Sequence, residues 1–140
     1  MNIKGIEETK NAINEIGYIL EVAAHMKCDT IEYTVPDSIT GTSIGVGLEF
    51  TNNFAKVVIT RTLVHDTEMI KIEAIFVKEK FRDRTIGTKL LNTITRICTK
   101  NKCKVGLWVD VNDLKLIKWY NDRGFELIET VDDHWLEYNL

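Results

Sequence analysis

The chain is short of several features that mark particular classes of protein. Its three cysteines, Cys28, Cys98 and Cys103, show no metal-ligand spacing, and an odd number does not form a closed disulfide framework. It has no run of about 18 apolar residues, and its amino end has no signal-peptide core. These absences predict a reduced cytoplasmic protein without a membrane span.

An excess of positive charge is also missing. The net charge is −3 and the sequence pI is about 5.6, whereas a domain that binds nucleic acid usually carries a clear positive excess. The sequence contains no Walker-type GK(S/T) motif, and His25, His65 and His134 are scattered through the chain. We therefore expect neither a nucleic-acid-binding protein nor a zinc protein.

What is present suits one domain spanning 1–140, because 140 residues can bury most of their apolar surface. Hydrophobic periodicity predicts the order α-β-β-β-β-α-β-α-β-β. The first helix lies within 3–27. The remaining elements are predicted at Ile31–Val35, Ser43–Phe50, Ala55–Leu63, Met69–Val77, Ile86–Lys100, Val105–Val111, Asp113–Asp122, Phe125–Val131 and His134–Tyr138. The single proline, Pro36, is expected to end the first strand, and residues 37–43 to form a loop.

This order predicts a mixed α/β fold. An antiparallel meander feeds a β-α-β unit, which sets two parallel strands side by side. In the strand Met69–Val77 the residues Ile70, Ile72, Ala74 and Phe76 are expected on one face. Glu73 is expected on the other, with Lys71, Ile75 and Val77.

The most informative segment is the basic turn between that strand and the next helix. It carries Lys78, Lys80, Arg82 and Arg84, and Gly87 lies in the first helical turn. Free N–H groups at a helix start, a favourable dipole and nearby cations together form a site for a diphosphate. A charge run of this kind can equally be a solvated strand end.

The spacing of this segment resembles a known motif. Val77, Arg82, Thr85 and Gly87 follow the pattern Val-x4-(Gln/Arg)-x2-Gly-x-(Gly/Ala), the acyl-CoA-binding motif of the GNAT superfamily of N-acetyltransferases. Further along, residues 113–125 resemble the family's ending, Asn-x2-Ala-x3-Tyr-x3-Gly-Phe, in which Tyr120, Gly124 and Phe125 match. The resemblance covers residues 68–140. Thr85, Asp113 and Leu116 depart from it, standing where the family has Gly, Asn and Ala.

The resemblance implies a GNAT-like mixed sheet with a splayed parallel strand pair. It also implies transfer of an acetyl group from acetyl-CoA, as cosubstrate, to a primary amine by direct attack, without a metal ion. The acceptor would be a small molecule, a protein lysine or an N-terminus. The residues that would bind acetyl-CoA are Phe76, Val77, Arg82, Arg84, Thr85, Ile86, Gly87, Thr88 and Asn112. The backbone amides near Phe76 and Val77 would pair with the pantetheine as a further strand does.

Thr85 leaves two alternatives open. If the motif requires a positive φ there, a β-branched residue costs about 1 kcal/mol more than glycine. Alternatively, Thr85 caps the helix, its hydroxyl holding the N–H of Gly87 or Thr88.

Two residues are candidates for catalysis. Tyr120 would return a proton to the CoA thiolate, and only one of Tyr120 and its neighbour Trp119 is expected to face the site, since adjacent helical residues diverge by about 100°. Glu73 is the candidate general base because it is the one carboxylate inside its strand, and Asp110 is an alternative.

The acidic balance near the carboxyl end favours a cationic amine as acceptor. A second interpretation is a catalytically inactive GNAT-fold binding or interaction module, with or without CoA. In that case the departures from the motif at Thr85, Asp113 and Leu116 would reflect sequence drift after catalysis was lost. A homodimer could form through the first helix or the last hairpin.

Overall fold

The computed structural model describes residues 2–37 and 41–139, with side chains except at positions 35–37, 41–43, 83 and 84. Three helices and seven strands follow one another in the predicted order. They are α1 (Ile6–Val22), β1 (Lys27–Asp37), β2 (Gly41–Thr51), β3 (Ala55–Val64), β4 (Thr67–Val77), α2 (Ile86–Lys100), β5 (Val105–Val109), α3 (Leu114–Asn121), β6 (Phe125–Thr130) and β7 (His134–Tyr138).

Two segments differ from the sequence expectation. The basic turn is a 3-10 helix, Glu79–Arg84, instead of an irregular loop. The strand predicted at Ile31–Val35 runs from Lys27 to Asp37 and continues through Pro36, which was expected to end it. β1 is an edge strand, where proline is tolerated because alternate backbone N–H groups face away from the sheet. The predicted loop 37–43 is reduced accordingly, and residues 38–40 lie outside the described part of the chain.

The seven strands form one mixed sheet in the order β1-β2-β3-β4-β5-β7-β6. Every neighbouring pair is antiparallel except β4 and β5, which run parallel. This confirms the mixed α/β class, the meander and the parallel pair.

The core lies where helices α1 and α2 pack on the sheet. Side chains along each helix recur at helical spacing and are almost fully buried, among them Ile16 and Leu20 of α1 and Leu91 and Ile94 of α2. Phe50 is one of the sheet residues in the same core. Burying each such side chain contributes about 1.5–3 kcal/mol, so this packing holds the start of α2 in a fixed position above the ends of the strands.

Among the described residues, no helix is long and apolar enough to cross a membrane.

Candidate active site

The candidate site begins where β4 and β5 separate. The two strands pair at Ile70–Val105 and Lys71–Gly106, and their pairing ends there. β4 then continues beside β3 as far as Val77, while β5 continues beside β7. The parallel pair therefore splays, and the edge of β4 after Lys71 faces a gap in the sheet.

A cleft of about 500 Å³ opens at this gap, a volume in the range of small-molecule sites. The end of β4, the 3-10 helix, the first turn of α2 and helix α3 surround it. The lining residues are Ile75, Phe76, Val77, Arg82, Thr85, Gly87, Thr88, Asp113, Lys115, Leu116, Trp119 and Tyr120. Residues that the sequence analysis assigned to cosubstrate binding and to catalysis thus come together from three separate segments.

The first turn of α2 presents backbone donors to this cleft. The helix begins at Ile86, and the side chain of Thr85 before it does not cap the turn. The first N–H groups of a helix have no intrahelical acceptor, and the helix dipole adds about half a positive charge at that end. The turn is therefore suited to an anionic group.

Gly87 lies in this turn between two walls of the cleft. A methyl group at this position would lie 3.6 Å from Val77 Cγ2 and 3.8 Å from Trp119 Cζ2, which are ordinary van der Waals distances. Packing therefore does not require glycine at this position. Glycine also destabilises a helix by about 1 kcal/mol relative to alanine, so helix stability does not explain it either. The missing side chain leaves space that a ligand can occupy close to the helix backbone.

Thr85 adopts the left-handed conformation, with φ 58° and ψ 15°. The helix-cap interpretation is wrong, because its side chain does not cap α2. The other alternative applies: a β-branched residue occupies a backbone conformation that favours glycine and costs other residues about 1–2 kcal/mol. The strained backbone of Thr85 thus lies directly before the first turn of α2, whose N–H groups lack intrahelical acceptors.

Arg82 is anchored beside the end of β4. Its Nε donates to the Val77 carbonyl at 3.0 Å, and its guanidinium lies 5.5 Å from the centre of the Phe76 ring. The side chain is thereby held at the cleft margin as a source of positive charge. Arg84 ends the 3-10 helix, but its side chain lies outside the described residues.

Trp119 and Tyr120 both line the cleft, contrary to the expectation that only one would. Their rings meet edge to face with centroids 5.0 Å apart, because long aromatic side chains from adjacent positions can converge at the end of a short helix. Tyr120 is 7% exposed and contacts Phe125 on its other side. Burial raises the pKa of its phenol, so the hydroxyl keeps its proton at neutral pH.

The loop before α3 is organised by carboxylates. Asp113, at the family's Asn position, caps α3 by accepting the Leu116 N–H at 3.1 Å. Asp110 accepts the Asn112 N–H at 2.8 Å. Asp113 and Leu116 line the cleft, whereas Asn112 and Asp110 do not.

Glu73 occupies a β-bulge. Val58 pairs with Ala74 and Ile59 with Ile72, so Glu73 is an extra residue in β4. A bulge exchanges the two faces of the strand beyond it. The predicted alternation is therefore wrong after Ile72.

The burial of the following residues agrees with this exchange. Ile75 and Val77, which the simple alternation assigns to the Glu73 face, pack against the core. Phe76, expected on the same face as Ile70, is 50% exposed.

The Glu73 carboxylate is engaged away from the cleft. Its Oε1 accepts the Thr60 hydroxyl at 3.0 Å and pairs with Lys71 Nζ at 2.7 Å. Glu73 does not line the cleft in this conformation.

Ile86 also lies elsewhere. It lines a second groove, which is bounded by α1, α2 and the β2–β3 turn, and it packs against the core. Sequence reasoning missed Ile75 and Lys115 as cleft residues, and it expected Trp119 to turn away. A signal for Lys115 existed, since it lies one turn before Trp119 on the same short helix.

Comparison with known proteins agrees with the architecture. The sequence model described as "Acetyltransferase (GNAT) family" matches residues 24–125. An uncharacterized N-acetyltransferase of Methanocaldococcus jannaschii is 38% identical over 74 residues, 52% of this chain and 32% of that protein. The chain thus aligns with about a third of the length of this relative.

Two solved structures are similar in fold. One is Arabidopsis thaliana Naa50 in complex with the bisubstrate analogue CoA-Ac-MVNAL, with a TM-score of 0.54 and 20% identity over 67% of this chain and 72% of that one. The other is the PaiA N-acetyltransferase of Thermoplasma acidophilum in complex with coenzyme A, with a TM-score of 0.53 and 13% identity over 89% and 68%. At these identities the likeness establishes the fold alone.

Proposed function

Because the chain belongs to the GNAT family of acetyltransferases, we propose that it transfers an acetyl group from acetyl-CoA to a primary amine. The observation that carries the proposal is the first turn of α2, which lines the cleft without a cap from the Thr85 side chain and with Gly87 between Val77 and Trp119. A helix start with a vacant side-chain position suits the diphosphate of CoA.

The cations around the turn support the same ligand. Arg82 is held at the cleft margin by the Val77 carbonyl, and Lys115 approaches from α3. Each charge-assisted contact with a phosphate oxygen is stronger than a neutral hydrogen bond. The overall charge of −3 makes this local concentration of cations more notable, since it is not a general property of the surface.

The splay of β4 and β5 supports an extended pantetheine. The arm would lie along the open edge of β4 and pair with backbone groups near Phe76 and Val77. The thioester would then lie deeper in the cleft, toward Ile75 and Tyr120.

The proposed reaction is a direct transfer. The neutral amine attacks the thioester carbonyl, the tetrahedral intermediate loses the CoA thiolate, and Tyr120 donates its phenolic proton to the departing sulfur. Burial favours the protonated phenol, so the donor is in the required state at neutral pH. The products are the N-acetylamine and CoA, and the proton released by the amine replenishes the phenol through solvent or a base.

Glu73, the sequence candidate for the general base, and its alternative Asp110, just after β5, do not line the cleft. A proton would have to reach either carboxylate through water, so we propose only a minor contribution of Glu73 to turnover. We propose a cationic acceptor from the acidic balance of the chain.

The test begins with ligand binding. At a concentration about 100-fold above its dissociation constant, CoA should stabilise the protein by about 2.7 kcal/mol, which is several degrees in melting temperature. ATP, which carries phosphates but no pantetheine, is the control. No shift with millimolar acetyl-CoA would contradict the proposal.

Thiol release with a panel of amines then separates enzyme from binding module. Release that depends on the amine supports the transferase. Binding of CoA without release from any amine in the panel favours the inactive module.

A further inference from the structure

Arg123 links helix α3 to the first turn of α2. Its Nη1 donates to the Trp119 carbonyl at 2.8 Å. Its Nε and Nη2 both donate to the Thr88 hydroxyl oxygen, at 3.2 and 3.0 Å. The guanidinium also lies 3.9 Å from the centre of the Trp119 ring. One half-buried side chain therefore contacts two residues of the cleft wall without lining the cleft itself.

The two bonds to Thr88 determine what its hydroxyl can do. A hydroxyl oxygen has two lone pairs and one proton. Both lone pairs accept from Arg123, so the Thr88 hydroxyl can act on a ligand only as a donor. A donor at this position, in the first turn of α2, suits a phosphate oxygen and would not suit a cationic ligand.

The contacts with Trp119 hold the opposite wall. The indole Cζ2 lies 3.8 Å from the position of a methyl group at Gly87, and Val77 bounds the other side of that gap. Bonding to its carbonyl and stacking on its ring fix both the backbone and the side chain of Trp119. The width of the gap over Gly87 thus depends on Arg123.

The charge of Arg123 is not neutralised by any carboxylate that the structure describes. Among the residues whose side chains are described, no carboxylate lies within ion-pair distance of it, whereas the neighbouring Asp122 pairs with Lys118. Its positive charge therefore adds to the dipole at the start of α2.

We propose that Arg123 is a positioning residue for the diphosphate end of the cosubstrate. It orients the Thr88 hydroxyl as a hydrogen-bond donor to a phosphate oxygen. It also fixes the position of Trp119, and with it the width of the gap over Gly87. This inference rests on the proposed function, because it takes CoA as the ligand of the cleft.

The experiment compares two ligands that differ in the diphosphate. Calorimetry measures the dissociation constants of CoA and of pantetheine, which lacks the diphosphate and the 3′-phosphoadenosine. Arg123→Met keeps the aliphatic length, and Arg123→Lys keeps the charge without the fork that binds Thr88 twice. Both should weaken CoA binding by about tenfold and change pantetheine binding by less than about twofold.

Two controls separate this role from general damage. Arg96→Met removes an exposed cation nine residues further along α2, about 13 Å from Gly87, and should leave both affinities unchanged. Thr88→Val should reproduce most of the Arg123→Met loss, and the double variant should lose little more, because the two residues act as one unit.

The outcomes are distinct. Equal losses for CoA and pantetheine would overturn the inference, since a distorted cleft weakens both. Unchanged CoA affinity in both Arg123 variants would also overturn it while leaving the proposed function intact. No CoA binding by the parent protein would remove the proposed function and the inference together.

Discussion

The two segments of strand β4 on either side of its bulge differ in what surrounds their polar groups. Before and at the bulge, Glu73 is bound by Lys71 and Thr60, so its charge is compensated inside the protein. Beyond the bulge, Ile75–Val77 border a cleft in which the polar groups are mainly donors and cations, such as the N–H groups of α2 and Arg82.

This difference indicates where a ligand is required. Compensated charges stabilise the fold modestly and need no ligand, whereas a concentration of donors and positive charge is completed by an anion. Substitutions at the cleft should therefore change binding or turnover with little effect on stability. Substitution of Glu73 should do little to either.

The largest expected effect is on catalysis at Tyr120. Tyr120→Phe keeps the ring and its contacts with Trp119 and Phe125, so stability should change by about 1 kcal/mol or less. Turnover should fall roughly 10- to 1,000-fold because the proton donor is lost, and CoA affinity should barely change. Amine-dependent thiol release, calorimetry and thermal melts measure the three quantities.

Tyr138 provides the matched control. It belongs to the same run of rings through Phe125 but does not line the cleft, so Tyr138→Phe should be neutral in turnover. The raised pKa of Tyr120 adds a pH test: the contribution of Tyr120 to stability should be constant below about pH 10 and decline above it, as the unfolded chain ionises first. Tyr120→Phe should reduce that decline. Full turnover in Tyr120→Phe would leave protonation of the thiolate to water.

The next largest effect is on CoA affinity at Gly87. Gly87→Ala fits between Val77 and Trp119 and improves helix propensity, so it should stabilise the protein by up to about 1 kcal/mol. The same methyl group should weaken CoA binding by about tenfold because it occupies the space over the helix start. Gly17→Ala in α1 is the control: its methyl group meets no described heavy atom within 4 Å, and only stability should rise. Equal affinity in Gly87→Ala and the parent would locate the phosphate site elsewhere.

Arg82 should make a smaller, salt-dependent contribution to CoA affinity. Arg82→Ala should weaken CoA binding about 3- to 10-fold at low salt, since a charge-assisted contact is lost. The deficit should shrink as sodium chloride screens the attraction in the parent. Titrations at several salt concentrations measure it, with Arg96→Ala as the control for net charge. A deficit that does not depend on salt would indicate that Arg82 acts through its bond to the Val77 carbonyl instead.

A change of about 1 kcal/mol is expected from relieving the backbone at Thr85. Thr85→Gly should raise the free energy of unfolding because glycine adopts φ 58° without strain. Lys102, with φ 57°, is the matched position away from the cleft, and Lys102→Gly should give a similar gain. Weaker CoA binding in Thr85→Gly alone would assign the Thr85 hydroxyl a role with the ligand.

The smallest effect is expected at Glu73. Glu73→Gln keeps an acceptor for the Thr60 hydroxyl and loses only a partly exposed ion pair with Lys71, so stability should change by less than about 1 kcal/mol. We expect turnover to fall by less than about tenfold. A fall above 100-fold, together with loss of the acidic limb of the pH–rate profile, would instead identify Glu73 as the general base.

Much of the fold was predictable because local periodicity carries it. The bounds Ile86–Lys100 and His134–Tyr138 are those expected, since an apolar stripe and a short alternating hairpin define them. The bounds of β1 were not predictable in the same way, because pairing with β2 extends an edge strand through Pro36.

The bulge could not be read from the strand itself. Nothing in the residues around Glu73 distinguishes an extra residue from a regular alternation, and the shift becomes visible only through the partners of Val58 and Ile59 in β3. Arg123 was overlooked for a related reason, since its contact with Thr88 joins residues 35 positions apart.

Local sequence patterns specify the order of helices and strands, a glycine in the first turn of α2 and a basic segment before it. Short-range patterns suffice for these, because they depend on neighbouring residues within a turn or a strand. Three arrangements follow only from the packing of the folded chain: Trp119 and Tyr120 share one cleft, Glu73 is bound outside it, and Arg123 supports its wall. Those arrangements depend on the splay of β4 and β5 and on packing between elements distant in the chain, which no local pattern encodes.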